Sequence, residues 1–306
     1  MSTESNLPPD HDERMIRAKL SLAGLSIGDA FGELFFRDPD QIMWMMESRS
    51  LPKGPWHFTD DTVMSVSIVE QLQLNGRIVQ DELASAFAQR FANDPWRGYG
   101  EMAHIILRSI SNGKDWRELS SGAFNGTGSM GNGGAMRVAP LGAYFSNDAR
   151  AIVEQARLSA DVTHSHPEGQ AGAIAVALAA AFAWNSKDSL NKKSGAEMFA
   201  FVLEYTPRGE TRDGIEKARE LSRTVSIPVA AGRLGNGSRV ISQDTVPFCL
   251  WCAARHLDNY VDAMWTTVAG LGDRDTTCAI VGGIVALSAG ENSIPSEWDS
   301  AREPLK

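Results

Sequence analysis

The amino-acid sequence predicts an all-α fold in one domain, and three observations carry that expectation. From Met15 onward, apolar residues recur at helical spacing in long stretches rich in Ala, Leu and Met. Alternating patterns of the kind that make half-buried strands are scarce. No segment is long or polar enough to divide the chain, because the Gly/Ser stretches Ser121–Gly134 and Gly232–Ser238 lie between helical segments of similar character.

Taken in order, Met1 to Arg14 is polar and acidic with two prolines, which predicts a disordered tail and lacks the basic and apolar parts of a signal peptide. The domain then runs over 15–306. Its first helix, Met15–Gly28, ends in the small-residue stretch Gly24–Gly32, a pattern suited to close packing and to a turn beside a cavity, where Asp29 caps locally or orients a ligand. Asp61–Leu74 follows a Thr/Asp start signal, and Gln80–Ala92, Tyr99–Asn112 and Asn147–Leu158 continue the helical period. Pro167–Trp184 opens behind Thr163-His164-Ser165-His166, and Ala196–Tyr205, Arg212–Thr224, Thr245–His256 and Asn259–Ala269 lead to Thr276–Gly290. Ala171–Ala181 and Cys278–Ala289 are apolar nearly all round and rich in Gly and Ala, which predicts helices buried at close approach.

With 43% apolar and 22% charged residues, the chain has the composition of a folded protein. Its formal charge of −9 argues against an electrostatic grip on nucleic acid or an anionic membrane, and leaves open a negative pocket for cations. The longest apolar run, Ala171 to Trp184, is shorter than the roughly 20 residues that span a bilayer. Three cysteines, two of them as Cys249-x-x-Cys252, make no disulfide framework, so a reducing, cytoplasmic setting is expected. Phe248–Cys252 reads as a buried helical face on which Cys is a small apolar residue.

Two acidic clusters stand out. Thr59-Asp60-Asp61-Thr62 and Gly272-Asp273-Arg274-Asp275-Thr276-Thr277 each precede an apolar helix. A helix cap explains one Thr or Asp at such a place, but it does not require paired carboxylates flanked by threonines. If both helix starts face one cavity, Asp60, Asp61, Asp273 and Asp275 bring about four negative charges together, which demands protons or cations. Two hard divalent ions would cancel that charge, and carboxylates, Thr hydroxyls and waters are ligands that magnesium prefers.

Between helices lies Gly126–Arg137, too rich in Gly for a helix and without the lysine of a P-loop. Such a loop either turns tightly between helices or brings backbone N–H groups to a phosphate. His164 and His166 are open to two readings: a solvated cap region or a zinc pair.

These blocks, in this order, resemble the ADP-ribosylglycohydrolase family, which includes dinitrogenase reductase activating glycohydrolases and the ADP-ribosyl-arginine and ADP-ribosyl-serine hydrolases. The resemblance covers Met15 to Trp298. It rests on Gly28-Asp29-Ala30-Phe31-Gly32, Phe58-Thr59-Asp60-Asp61-Thr62, Gly131-Asn132-Gly133-Gly134-Ala135-Met136-Arg137, Thr163-His164, Gly272-Asp273-Arg274-Asp275-Thr276, and Ile294-Pro295 with Trp298. It implies a single orthogonal helical bundle that hydrolyses a glycosidic bond between ADP-ribose and an acceptor such as an ADP-ribosylated protein. It further implies that Thr59, Asp60, Asp61, Asp273, Asp275 and Thr276 hold two magnesium ions, with manganese as a substitute. By the same carry-over, Asp60, Asp61 and Asp275 serve catalysis, while Gly128, Ser129, Met130, Gly131, Asn132, Gly133 and Gly134 cradle the diphosphate and distal ribose. His164 then contacts the phosphate or adenosine side.

The chain departs from the family pattern at three places. Phe36 stands where some members carry a glutamate, with Glu33 the nearest acid; Arg274 replaces a small residue between the aspartates; and Met130 replaces a ring. Arg274 could fold outward, pair with a phosphate, or weaken metal binding. Two rival readings follow from these departures: a non-catalytic ADP-ribose or nucleotide binder, and a dimetal hydrolase of another nucleoside or phosphoester.

Overall fold

In a computed structural model, which describes residues 7–187, 194–222 and 224–305, the expectation of an all-helical chain is met. The helices are α1 (His11–Glu33), α2 (Pro39–Ser48), α3 (Asp60–Asn75), α4 (Gln80–Asn93), α5 (Glu101–Ser111), α6 (Trp116–Gly126), α7 (Ala139–Tyr144) and α8 (Ala149–Asp161). They continue with α9 (Pro167–Ser186), α10 (Gly195–Tyr205), α11 (Glu210–Glu220), α12 (Ile227–Leu234), α13 (Ser242–Arg255), α14 (Tyr260–Val268), α15 (Arg274–Ala289) and α16 (Ser296–Ala301). Extended pairing among the described residues is confined to two isolated bridges, Trp56–Arg302 and Gly131–Ile241. No helix among them is long and apolar enough to cross a membrane.

The core gathers around α9 and α15. From Ala171 to Ala183 every side chain of α9 is buried, so its all-round apolar character is that of a central helix. Cys249, Cys252 and Cys278 lie in the same interior as small apolar groups, as the sequence suggests.

The first helix corrects the sequence reading at both ends. It begins at His11, so residues 11–14 belong to it rather than to a tail. Arg14 pairs with Asp10 at 2.7 Å and the His11 imidazole meets the Tyr144 hydroxyl at 2.8 Å. Residues 1–6 lie outside the described residues. The helix also runs through Gly28 to Glu33, because its glycines serve contact rather than termination. Gly24, Gly28 and Gly32 recur every fourth residue on one face, and a methyl group on any of them would overlap α15 backbone at Gly282, Cys278 or Arg274. The two helices therefore touch backbone to backbone, which fixes the N-terminus of α15 against the last turn of α1.

Short helices were the elements least visible in sequence. α2, α6, α7, α12 and α16 fall where Gly, Ser, Pro or mixed polarity masks the helical period. α6 shows why: its last turn is broken by left-handed Phe124 and Asn125. α11 stops at Glu220, short of the Thr224 expected.

Candidate functional site

Each acidic cluster sits at a helix start, and a different device holds each one. For the first, the cap of α3 comes from α1. Asp29, wholly buried, accepts from the Thr59 and Thr62 backbone amides at 3.0 Å and from both their hydroxyls. These bonds satisfy the free N–H groups of the helix start and leave Asp60 and Asp61 without a capping duty. The Asp60 amide donates to the Arg97 carbonyl at 2.7 Å, and Gly98 brings the following loop alongside its carboxylate. Arg97 in turn binds the Phe58 carbonyl and forms an ion pair with Glu303, whose carboxylate also accepts from the Phe58 amide at 3.1 Å.

The second cluster is set by the α1–α15 contact and by the loop before α13. The Asp273 amide donates to the Asn236 carbonyl at 3.2 Å, and burial, and then the Asp275 charge beside it, raises the Asp273 carboxyl group. The two clusters meet where the Thr276 hydroxyl donates to Asp61 Oδ2 at 3.4 Å, an atom that also accepts from Thr59 Oγ1 at 3.0 Å. Six residues separated in sequence, Thr59, Asp60, Asp61, Asp273, Asp275 and Thr276, are thereby brought into one place.

The charge there is largely uncompensated. Burial first, and then repulsion among Asp29, Asp60, Asp61, Asp273 and Asp275, pushes Asp60 and Asp61 well above the usual carboxylate range. The same causes raise Asp29 and Asp273 to about 7. Glu33 also rises to about 7 through burial and the nearby Asp275. Asp61 Oδ1 and Asp275 Oδ1 are buried with no hydrogen-bond partner among the described residues. No three His, Cys, Asp or Glu side chains there form a ready cage. The donor set is thus hard oxygen, unsatisfied and overcharged, and it fits cations that complete their shells with Thr hydroxyls and water.

Arg274 compensates only in part, opposing the rise that burial gives Asp275 without forming an ion pair with it. Its guanidinium donates to the Phe35 carbonyl at the end of α1 and lies over the half-exposed Phe36 ring, 4.9 Å from the centroid. Two of the departures from the family pattern, Arg274 and Phe36, thus pack on each other.

The glycine loop reaches the acidic residues through Asn132, whose amide group donates to Asp273 Oδ2 at 2.7 Å and to Thr245 Oγ1 at 3.1 Å. Within the loop, the Gly131 amide donates to Ser129 Oγ and the Asn132 amide to the Val240 carbonyl. Those of Ser129, Met130 and Gly133 have no acceptor among the described residues. Gly128 packs tightly on Ser165, and Met130 takes the Gln243 amide on its sulfur at 3.3 Å. The His164 ring lies against Gly131 and Gly133, while His166 accepts from the Glu168 amide and caps α9, so the two histidines have separate duties. Two surface cavities, about 610 Å³ beside Arg233–Asp244 and about 850 Å³ between Leu51–Trp56 and Ser296–Pro304, flank this centre without including its carboxylates.

Sequence reasoning missed Arg97, Gly98, Asn236, Thr245 and Glu303. Each supports the site through backbone or as a hydrogen-bond partner, a role with no local pattern.

The fold and the site together define an all-helical domain that buries a cluster of acidic side chains beside a glycine loop. The model of one family, ADP-ribosylglycohydrolase, matches residues 10–305. The chain belongs to that family and is a hydrolase of a glycosidic bond. It is similar to the ADP-ribosylhydrolase ARH3 of Homo sapiens, 29% identical over 92% of this chain and 88% of that protein. It is also similar to the ADP-ribosylarginine hydrolase Tri1 of Serratia proteamaculans, at 24% identity over 96% and 78%. A solved structure titled "ADP-ribosylglycohydrolase-related protein complex" shares the fold, with a TM-score of 0.66, 20% identity, and coverage of 95% and 94%.

Proposed function

We propose that this chain hydrolyses the glycosidic bond joining ADP-ribose to an acceptor, and that it does so with two magnesium ions, or manganese, held by Thr59, Asp60, Asp61, Asp273, Asp275 and Thr276. The observation that carries this reading is the Thr276–Asp61 hydrogen bond, which joins two acidic helix starts around unpartnered carboxylate oxygens. The names of the relatives, ADP-ribosylhydrolase and ADP-ribosylarginine hydrolase, support ADP-ribose as the shared half of the substrate.

When bound, such ions supply charge neutralisation and Lewis-acid polarisation of water and ribose hydroxyls. The chain does the rest. Free amides of the Ser129–Gly133 loop and the His164 ring bind the diphosphate, which fixes the anomeric carbon over Asp60 and Asp61. As the glycosidic bond breaks, positive charge on the ribose faces this acidic floor and is stabilised by it. Asp60 or Asp61 takes the proton of the water that attacks the anomeric carbon, while the acceptor leaves with the bonding pair and gains a proton.

The test uses purified protein, stripped with EDTA and then supplied with magnesium, on substrates carrying ADP-ribose on arginine, serine or nucleic acid. Free ADP-ribose is the expected product from at least one of them, with release abolished by EDTA. Calorimetric binding of ADP-ribose without release from any substrate would sink the proposal in favour of a binding protein.

A further inference from the structure

Arg137 poses a physical problem that the nearby Asp60 charge solves only in part. It is 0% exposed, and no carboxylate among the described residues forms an ion pair with it. The Asp60 charge favours the buried guanidinium from nearby but makes no ion pair with it, so its direct contacts must offset most of the cost of burial. They are few. Its Nη2 donates to the Ser159 carbonyl and to Thr163 Oγ1, both at 2.9 Å, its plane lies over the Phe87 ring at 4.5 Å, and Nη1 approaches Met64 Sδ at 3.6 Å.

The Thr163 contact has a consequence for the next residue. Arginine donates and never accepts, so Thr163 Oγ1 must be the acceptor there. Among the described residues the one acceptor within reach of the Thr163 hydroxyl proton is His164 Nδ1, at 2.7 Å, so the proton is directed there. A neutral imidazole that accepts at Nδ1 carries its hydrogen on Nε2. Burial, and then the charge of Arg137, lowers the His164 pKa and keeps the ring neutral. Nε2 has no hydrogen-bond partner among the described residues and lies against the glycine loop: a side chain on Gly131 would stand 3.0 Å from it, and one on Gly133 would stand 2.8 Å from Cε1.

We infer that Arg137 and Thr163 are positioning residues which lock His164 in the Nε2–H tautomer, so that a neutral donor faces the Gly131–Gly134 loop and receives an anionic oxygen of a diphosphate. The inference rests on the proposed function for the identity of the ligand. The opposite tautomer would aim a lone pair at that oxygen and repel it. A protonated ring would bind anions of many kinds, whereas a neutral donor held in place rewards geometry over charge.

The experiment reads the tautomer directly, by nitrogen-15 NMR of histidine-labelled protein, in wild type, Thr163→Val and Thr163→Ser. Wild type and Thr163→Ser should show His164 protonated at Nε2. Thr163→Val, which keeps the shape and loses the hydroxyl, should show a mixture of tautomers. ADP-ribose affinity should fall about tenfold in Thr163→Val and return in Thr163→Ser, with the loss in KM rather than kcat. Arg137→Met should give the same mixture where it folds, and Thr163→Val carries the test where it does not. An unchanged Nε2–H signal in Thr163→Val overturns the inference, as does a mixture of tautomers with unaltered affinity. Failure of wild type to bind or release ADP-ribose refutes the proposed function instead, and the tautomer measurement still decides the roles of Thr163 and Arg137.

Discussion

Thr276 and Asp61 lie 215 positions apart in the chain, yet the hydroxyl of one donates to the carboxylate of the other at 3.4 Å. The bond is long and its worth as a single contact is small. Its importance is that it marks where two like-charged helix starts are forced together by packing elsewhere.

Forced proximity of like charge predicts that removing one charge stabilises the metal-free protein. Asp61→Asn should raise the melting temperature in EDTA by about 2–4 °C, since roughly 1 kcal/mol of repulsion and burial cost is relieved. The same variant should lose hydrolysis and most of the stabilisation by magnesium. A lower melting temperature in EDTA would contradict this account.

The pH dependence follows from the raised carboxylates. Asp29 and Asp273 titrate at about 7 in the fold, whereas in the unfolded chain an Asp titrates at about 4. Between those values the folded state holds protons that the unfolded state has released, so these groups weaken the fold as pH rises from about 4 to 7. Magnesium competes with those protons. Its stabilising effect, measured by thermal melts with and without EDTA, should be larger at pH 8 than at pH 5.5.

Asp29 touches no proposed ligand, but it holds Thr59 and Thr62 through five hydrogen bonds. Asp29→Asn turns an acceptor group into one that also donates, facing amides and hydroxyls that donate already. Magnesium affinity or activity should fall by about 10–100-fold, as for other partners that orient metal ligands. Titration calorimetry with magnesium would reveal the loss without relying on turnover.

Gly28→Ala tests the contact that positions the second cluster. Its methyl group would overlap the Cys278 carbonyl, and a cost of about 1–3 kcal/mol in urea unfolding is expected. Gly232, in α12, has nothing within 4 Å of a new methyl group, and Gly232→Ala should stabilise by about 0.5–1 kcal/mol.

The three thiols should be inert in the native state. Cys249, Cys252 and Cys278 are buried, and burial pushes Cys252 up to about 12 and the other two well above the usual thiol range, so almost no thiolate forms at neutral pH. Ellman's reagent should find none of them before denaturation and three after it.

What could be read in the sequence was whatever announces itself locally. The helical period of α9 and α15, the doubled carboxylates at Asp60-Asp61 and Asp273-x-Asp275, and the glycines at 131, 133 and 134 are all local signals. Arg274 shows the limit: its contacts with the Phe35 carbonyl and the Phe36 ring depend on how α1 ends beside α15, which no local pattern announces. Arg97 and Glu303 were illegible for a similar reason, because their meaning is a contact 206 positions long. The glycines of α1 misled in the other direction, since backbone contact and helix termination call for the same residue.

The Glu303 clasp also orders events in time. A ribosome adds residues from the N-terminus, so the Phe58 amide waits through 245 further additions before the carboxylate that holds it exists. Until then the nascent chain carries Asp60 and Asp61 at the start of α3 without that fastener. The site gains this fastener only once Glu303 has been made.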